Sequence, residues 1–160
     1  MVSVFRLLAQ SAECMERIAE FIIPKAEFAS GLISIKQNKK RPLVLLIMGT
    51  GTTDRDGNSF GFKTNLYKNL SDMFVEMGYV CIRYDKRGTH ESTGDYKTGG
   101  LSDLVSDAAN IIHYAKKLDY IDEEKIVVCG HSEGAMIATL LTKTEELRGI
   151  ILLGGACMGL

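Results

Sequence analysis

The architecture of this chain follows from residues 126–138, which read Ile-Val-Val-Cys-Gly-His-Ser-Glu-Gly-Ala-Met-Ile-Ala. A β-branched apolar run leads into Gly-x-Ser-x-Gly, and a helix-forming run follows at once. This order predicts a nucleophile elbow, a tight strand-to-helix turn that exposes Ser132. Gly130 and Gly134 leave room for a turn that a Cβ would crowd. The alternative is a glycine-rich turn without a catalytic role.

The segments on either side of this turn alternate between short apolar runs and amphipathic stripes. Residues 43–48 form a continuous apolar run, which is typical of a strand buried on both faces. The other predicted strands are 79–84, 126–129 and 149–153, and the predicted helices are 62–77, 101–118 and 133–143. The alternation predicts an α/β fold with a mostly parallel sheet and helices on both faces. The strand at 150–153 would form an exposed apolar edge if no strand covered it.

The first 41 residues are harder to interpret. Residues 4–21 show partial helical periodicity, and Pro24 would end such a helix. Residues 31–36 alternate as a short outer strand would. At 160 residues the chain has the length of one domain, so we expect an N-terminal segment at 1–41 and a βα core at 42–160.

Composition excludes several classes of protein. The net charge of −1 provides no excess of positive charge for binding nucleic acid. The longest apolar runs are too short to span a membrane, and the N-terminus lacks the features of a signal peptide. The four cysteines form no Cys-x-x-Cys pair, so we expect reduced thiols in a cytoplasmic protein rather than a disulfide. They are Cys14, Cys81, Cys129 and Cys157.

A second glycine-rich segment, residues 48–58, directly follows the first buried strand. It reads Met-Gly-Thr-Gly-Thr-Thr-Asp-Arg-Asp-Gly-Asn. A Gly-x-Gly turn at the carboxyl end of a strand brings backbone N–H groups to an anion, and ligands of open α/β sheets bind at this end. Nucleotide binding is disfavoured because the segment lacks Gly-Lys-Ser/Thr and has no third glycine at the dinucleotide spacing.

A third polar segment, residues 83–92, follows the second buried strand and reads Arg-Tyr-Asp-Lys-Arg-Gly-Thr-His-Glu-Ser. Asp85 and Arg87 are predicted to form an ion pair that stiffens this loop. Gly88 would permit its turn. We therefore expect Asp85, Arg87 and Gly88 to have structural roles.

Together the three segments resemble the α/β-hydrolase family, most closely its serine aminopeptidase S33-type and carboxylesterase-like branch. The resemblance covers about residues 40–155 and includes the order of the motifs and their placement at strand ends. It implies Ser132 as the nucleophile, with the backbone N–H groups of Glu133 and of Thr50, or alternatively Gly51, as the oxyanion hole. It also implies a small-molecule acyl substrate and neither a metal nor an organic cofactor.

The chain departs from the family pattern at three places. Met48 stands where many hydrolases have a histidine, and His90-Glu91 replaces Gly-x in the third segment. By the resemblance, residues 43–48 are the family's third strand and 150–153 its sixth. The family's lid, later strands and triad Asp and His follow the sixth strand, so the resemblance predicts an incomplete copy of a longer hydrolase.

Three histidines are candidates for the missing base. His131 adjoins Ser132 and is expected to point away from it, and His113 lies within an amphipathic helix. His90 lies on a loop at the correct end of the sheet and is the one plausible stand-in, because a base has to come within hydrogen-bond reach of the nucleophile.

Two hypotheses follow. In the first, the chain is a serine hydrolase acting on a carboxylic ester or a related acyl bond, completed by further residues or by a second polypeptide. In the second, it is a non-catalytic protein that uses the edge after Leu153 to bind a partner or a second copy, which would make it an oligomer.

Overall fold

The computed structural model describes residues 7–10, 14–23, 27–35 and 40–155, in which two sheets and three helices are formed. The elements are β1 (Leu7–Gln10), β2 (Cys14–Ile23), β3 (Glu27–Ile35), β4 (Arg41–Ile47), β5 (Asn58–Ser59), β6 (Phe62–Lys63), α1 (Leu66–Glu76), β7 (Val80–Tyr84), α2 (Leu101–Ala115), β8 (Ile121–His131), α3 (Glu133–Leu141) and β9 (Gly149–Leu153).

The main sheet has the strand order β1-β2-β3-β7-β4-β8-β9. β7, β4, β8 and β9 are mutually parallel, whereas β1, β2 and β3 run antiparallel to their neighbours. The chain crosses from β4 to β7 through α1 and returns in the opposite direction from β7 to β8 through α2. Right-handed crossovers in opposite directions place helices on opposite faces. The predicted α/β class, with a mostly parallel core and helices on both faces, is confirmed.

The continuous apolar runs are central strands. Every residue of β7 is buried, and so is β4 from Leu43 to Ile47. α1 packs against β3, β4 and β7, while α2 and α3 pack against each other and against the sheet. Burial between two helical layers explains why these strands are apolar throughout instead of alternating.

The predicted N-terminal helix at residues 4–21 is wrong, because β1 and β2 occupy the described part of this region. Ala19 and Phe21 are buried and Glu20 between them is exposed, which is the period of a strand. Phe21 packs edge-on against Tyr114 of α2, with ring centroids 5.1 Å apart. Pairing with β3 and this packing override the local helical pattern, and Pro24 lies outside the described residues.

Other element boundaries differ from prediction by a few residues. The helix expected from residue 62 begins at Leu66, because Asn58–Lys63 folds as the β5–β6 hairpin around Gly61, whose φ is +74°. The strand expected at 31–36 is the longer β3, and the one expected at 126–129 is the longer β8. β1 pairs with β2 at the far edge of the sheet, so β9 is the seventh strand of this sheet in chain order.

Two of the four cysteines have described side chains. Cys81 and Cys129 are buried and unpaired. Burial raises the pKa of Cys81 to about 12 and that of Cys129 to about 11, so both remain thiols at neutral pH. Cys157 and the side chain of Cys14 lie outside the described part of the structure.

Candidate active site

Ser132 lies in a strained turn between β8 and α3. Its φ is +53° and its ψ is −114°, a conformation that residues with a Cβ rarely adopt. Its backbone N–H donates to the Leu153 carbonyl at 2.9 Å, which ties the turn to the end of β9. Strain of this kind persists only where the surrounding structure enforces it, and it concentrates at functional sites.

Close backbone packing makes both flanking glycines necessary. A Cβ on Gly130 would lie 2.0 Å from the Gly134 carbonyl oxygen. A Cβ on Gly134 would lie 2.2 Å from the Ile47 carbonyl oxygen in β4. We call residues 130–134 the serine turn. Its shape results from steric contacts that glycine alone accommodates.

The serine turn borders a cleft of about 360 Å³ at the carboxyl ends of the parallel strands. Parallel sheets commonly bind ligands at this end. The described residues that line it are Thr50, Leu101, Ser132, Glu133, Met136, Gly154 and Gly155. Ser132 and Glu133 therefore share the cleft with Thr50, which comes from the end of a different strand.

Thr50 belongs to the glycine loop, residues 49–51, which three distant side chains hold in place. Gly49 N–H donates to the Tyr67 hydroxyl at 3.0 Å. Gly51 N–H donates to the Tyr96 hydroxyl at 2.9 Å. The Gly49 carbonyl accepts a hydrogen bond from Lys86 Nζ at 2.6 Å.

These bonds distinguish the two predicted donors of the glycine loop. Gly51 N–H is already engaged by Tyr96. Thr50 N–H makes no hydrogen bond within the described residues, and Thr50 lines the cleft. Glu133 N–H is the first of α3, where the helix supplies no acceptor. Thr50 and Glu133 therefore present the N–H groups that are available to an anion.

Lys86 connects the glycine loop to the serine turn. Besides the Gly49 carbonyl, its Nζ contacts the Glu133 carboxylate at 3.0 Å and lies 5.3 Å from the centre of the Tyr96 ring. The Lys86 side chain is fully buried. Lys86 belongs to the third segment, and no local sequence pattern predicts its contacts.

The predicted ion pair between Asp85 and Arg87 is wrong, because each pairs with a different residue. Asp85 accepts hydrogen bonds from Arg55 Nε at 3.0 Å and Arg55 N at 2.7 Å, and so binds the segment after the glycine loop. Arg87 binds Asp107 of α2, with Nε 2.7 Å from Oδ2. Both pairs are buried, so each fixes the loop to a separate element.

Gly88 has the turn role expected of it. Its φ is +65°, and a Cβ there would lie 2.3 Å from the backbone nitrogen of Tyr96. This close approach holds the Tyr96 segment against the loop at 85–88. Since Tyr96 anchors Gly51, the third segment also supports the glycine loop.

No histidine in the described residues hydrogen-bonds to Ser132. His131 Nδ1 is 2.9 Å from the Tyr67 hydroxyl, and His113 Nε2 is 2.9 Å from Glu145 Oε1. His90 Nε2 lies 2.6 Å from the Thr52 carbonyl. The one plausible stand-in base is thus engaged with a backbone carbonyl and does not contact the serine.

Like Lys86, Tyr67 and Tyr96 contact the glycine loop without having been predicted from the sequence. Burial raises the pKa of Tyr67, although its hydrogen bond with Gly49 N–H opposes the shift. The hydroxyl therefore stays protonated at neutral pH, accepts a hydrogen bond from Gly49 N–H and makes a second hydrogen bond with His131 Nδ1. No local pattern marks either tyrosine, because the contacts are made across 18 and 45 positions of sequence.

Arg83 organises a buried polar cluster. Its guanidinium contacts Asp56 at 2.8 Å, Glu16 at 2.9 Å and Ser34 at 2.9 Å. Burial alone would lower the pKa of Arg83. The hydrogen bond and charge of Asp56 and the charge of Glu16 together raise this pKa by more, so its net shift is upward. The cluster joins β2 and β3 to the segment that follows the glycine loop.

Within the described residues, no group of three or more His, Cys, Asp or Glu side chains is arranged to hold a metal ion. In the same part of the chain, no helix has the length and apolarity needed to cross a membrane.

Comparison with known proteins identifies similar sequences. Esterase EstD of Thermotoga maritima is 24% identical over 112 residues, which is 70% of this chain and 26% of EstD. An uncharacterized 31.7 kDa protein of Escherichia coli, from the traX-finO intergenic region, is 29% identical over 97 residues, which is 61% of this chain and 31% of that protein. The matched part thus spans less than a third of these relatives.

Solved structures share the fold at low sequence identity. The α/β hydrolase GrgF from Penicillium sp. sh18 superposes with a TM-score of 0.76 at 15% identity, covering 88% of this chain and 46% of GrgF. Est1E from Butyrivibrio proteoclasticus, solved with ferulic acid bound, gives 0.72 at 23% identity, covering 88% and 54%. This chain spans about half of each.

The family described as serine aminopeptidase, S33, matches residues 60–159, more than half of the chain. This match includes the serine turn and Lys86, and the structural neighbours share the α/β-hydrolase fold. The chain belongs to the serine aminopeptidase S33 family of α/β hydrolases.

Proposed function

We propose that this chain carries the nucleophile of a serine esterase, and that Ser132 Oγ attacks the carbonyl carbon of a carboxylic ester. One observation carries the proposal: Ser132 is held at a positive φ, on a turn that requires two glycines, at the edge of a cleft. This combination is typical of a nucleophile elbow.

The reaction has two halves. Ser132 Oγ forms a bond to the carbonyl carbon as its proton passes to a base, and the alcohol leaves with a proton, which gives an acyl-enzyme. Water then attacks the same carbon, the bond between that carbon and Ser132 Oγ breaks, and the acid leaves as Oγ regains a proton. The N–H groups of Glu133 and Thr50, two residues that line the cleft, would stabilise the negative charge on the carbonyl oxygen.

The base comes from outside the described residues, as does the acidic group that orients it. The three histidines with described contacts are bound elsewhere. Further residues of the same protein, or a second polypeptide, would supply this pair. The relatives are longer than the matched part of this chain, which supports the proposal.

Ester rather than amide hydrolysis is favoured by the names of the relatives. EstD is named as an esterase, and Est1E was solved with ferulic acid, a carboxylic acid, bound. Leu101 and Met136 line the cleft and give it an apolar wall, which suits an uncharged acyl or alcohol group.

The unpaired buried thiols of Cys81 and Cys129 support the prediction of a reducing, cytoplasmic compartment.

A non-catalytic binding role is the second candidate, because β9 is one of the two edge strands of the described sheet and exposes Ile151 and Leu152. An uncovered apolar edge favours pairing with another chain. Size-exclusion chromatography tests this role: binding through β9 predicts an oligomer, and a stable soluble monomer contradicts it.

Hydrolysis of p-nitrophenyl acetate by the protein expressed from its complete reading frame tests the esterase proposal. We expect Ser132→Ala to reduce kcat/KM at least about 1,000-fold, since the nucleophile is removed. Ser59→Ala is the matched control, because Ser59 is exposed on the β5–β6 hairpin. Equal rates for Ser132→Ala and wild type would contradict the proposal.

A further inference from the structure

The orientation of one peptide unit determines whether Thr50 N–H faces the cleft. The Gly49 carbonyl and the Thr50 N–H belong to the same planar trans peptide, so they point in opposite directions. Lys86 Nζ holds that carbonyl at 2.6 Å. A bond that fixes the direction of the carbonyl therefore also fixes the direction of the N–H.

Resting on the proposed function, we propose that Lys86 is a positioning residue that orients and strengthens the Thr50 N–H as an oxyanion donor. A cation bound to the carbonyl oxygen draws electron density through the peptide and polarises the N–H at its other end. Hydrogen bonds from ionised donors are also shorter and stronger than neutral ones. Lys86 thus acts on the reaction through the backbone, without touching the substrate.

The same ammonium group fixes the second donor. Its 3.0 Å contact with the Glu133 carboxylate ties the first residue of α3 to the glycine loop. Its position beside the Tyr96 ring places it against the side chain that anchors Gly51. Lys86 therefore links both halves of the site, and its loss would change the spacing between the Thr50 and Glu133 N–H groups.

Packing alone does not explain a charged group at this position. A buried ion pair is expensive to desolvate, and an apolar side chain of similar volume is often as stable or more stable. Methionine would fill much of the volume that Lys86 occupies. The ammonium group therefore satisfies the Gly49 carbonyl and the Glu133 carboxylate and at the same time gives the Gly49–Thr50 peptide a defined direction.

The test compares Lys86→Met with wild type in ester hydrolysis by the protein expressed from its complete reading frame. We expect kcat to fall about 10- to 100-fold with KM within about twofold, because an oxyanion donor acts in the transition state. Lys68→Met is the matched control, since Lys68 pairs with Asp72 on the surface of α1. Lys86→Arg, which keeps a cationic donor, should recover part of kcat.

An unchanged kcat in a folded Lys86→Met protein would overturn the proposal. An increase in KM with no change in kcat would overturn it as well. A loss of kcat that Lys86→Arg does not recover at all would also count against the role of the charge. Melting temperatures of all variants show whether a change in rate is only a change in stability.

A spectroscopic measurement separates failure of this inference from failure of the proposed function. In wild-type protein, NMR should show scalar coupling between Lys86 ¹⁵Nζ and Gly49 ¹³C′ across their hydrogen bond, with the Thr50 amide shifted downfield. This readout needs neither turnover nor a substitution. Without the coupling the inference fails. With the coupling but no Ser132-dependent hydrolysis, the esterase proposal fails and the role of Lys86 as an oxyanion-positioning residue fails with it.

Discussion

The serine turn and the glycine loop border the same cleft but are held in shape by different interactions. The serine turn is fixed by backbone atoms that leave no room for a Cβ at Gly130 or Gly134. The glycine loop is fixed by hydrogen bonds that its N–H groups donate to Tyr67 and Tyr96 and that the Gly49 carbonyl accepts from Lys86. The steric constraint is local, whereas the hydrogen bonds depend on side chains from α1 and from the connection between β7 and α2.

The strongest test of the steric half is Gly134→Ala. Its Cβ would meet the Ile47 carbonyl oxygen at 2.2 Å, so α3 would have to move away from β4. We expect the free energy of unfolding to fall by about 3 kcal/mol or more, as measured by urea denaturation. Gly149→Ala is the matched control, because a Cβ there meets nothing within 4 Å, and it should change stability by less than about 0.5 kcal/mol. Equal stability of the two variants would contradict the steric account.

Tyr67→Phe tests the polar half. The substitution leaves the buried Gly49 N–H without its acceptor and removes the hydroxyl bound to His131. An unsatisfied buried donor should lower the free energy of unfolding by about 1 to 2 kcal/mol. Tyr114→Phe is the control, since the Tyr114 ring packs on Phe21 and no hydrogen bond of its hydroxyl is formed with the described residues. Similar losses in both variants would show that the hydroxyl of Tyr67 does not anchor the loop.

Tyr96→Phe should have a smaller effect on stability. The bond from Gly51 N–H to the Tyr96 hydroxyl is only partly buried, so water can replace the lost acceptor. We expect a loss of about 0.5 kcal/mol, together with faster amide hydrogen exchange at Gly51. Unchanged exchange at Gly51 would mean that Tyr96 does not restrain the loop.

The smallest expected effect is on the free energy of unfolding above pH 10. It concerns the hydrogen-bonded glycine loop and not the serine turn. The pKa of Tyr67 is raised by burial above its ordinary value of 10.0, so the folded state holds this proton more tightly than the unfolded state. Its contribution is complete below pH 10 and is lost as the pH rises through the higher folded-state pKa. Wild type should therefore lose stability more steeply than Tyr67→Phe above pH 10. Cys81 and Tyr84 titrate in both proteins and cancel in the difference. If the free energy of unfolding fell equally steeply in both proteins above pH 10, the raised pKa of Tyr67 would be contradicted.

The sequence predicted the part of the site that depends on local sterics. An apolar run, Gly-x-Ser-x-Gly and a helical run have few structural solutions, and the structure has β8, a strained Ser132 and α3 at these positions. The buried strands β4 and β7 were equally predictable, because burial on both faces requires continuous apolar sequence.

Regions that depend on distant partners were not predictable. Residues 4–21 look helical in isolation, but β2 forms because β3 pairs with it and because Arg83 binds its Glu16. Asp85 and Arg87 are close in sequence, yet each has a partner from another element. Short-range patterns cannot report contacts that the tertiary fold creates.

The central claim is that Ser132 is a nucleophile, and covalent labelling tests it most directly. The protein expressed from its complete reading frame is treated with a fluorophosphonate, digested and mapped by mass spectrometry. The account predicts one phosphonylated residue, Ser132, with no adduct in Ser132→Ala and normal labelling in Ser59→Ala. An unlabelled Ser132 in folded protein, or an adduct on another serine, would contradict it.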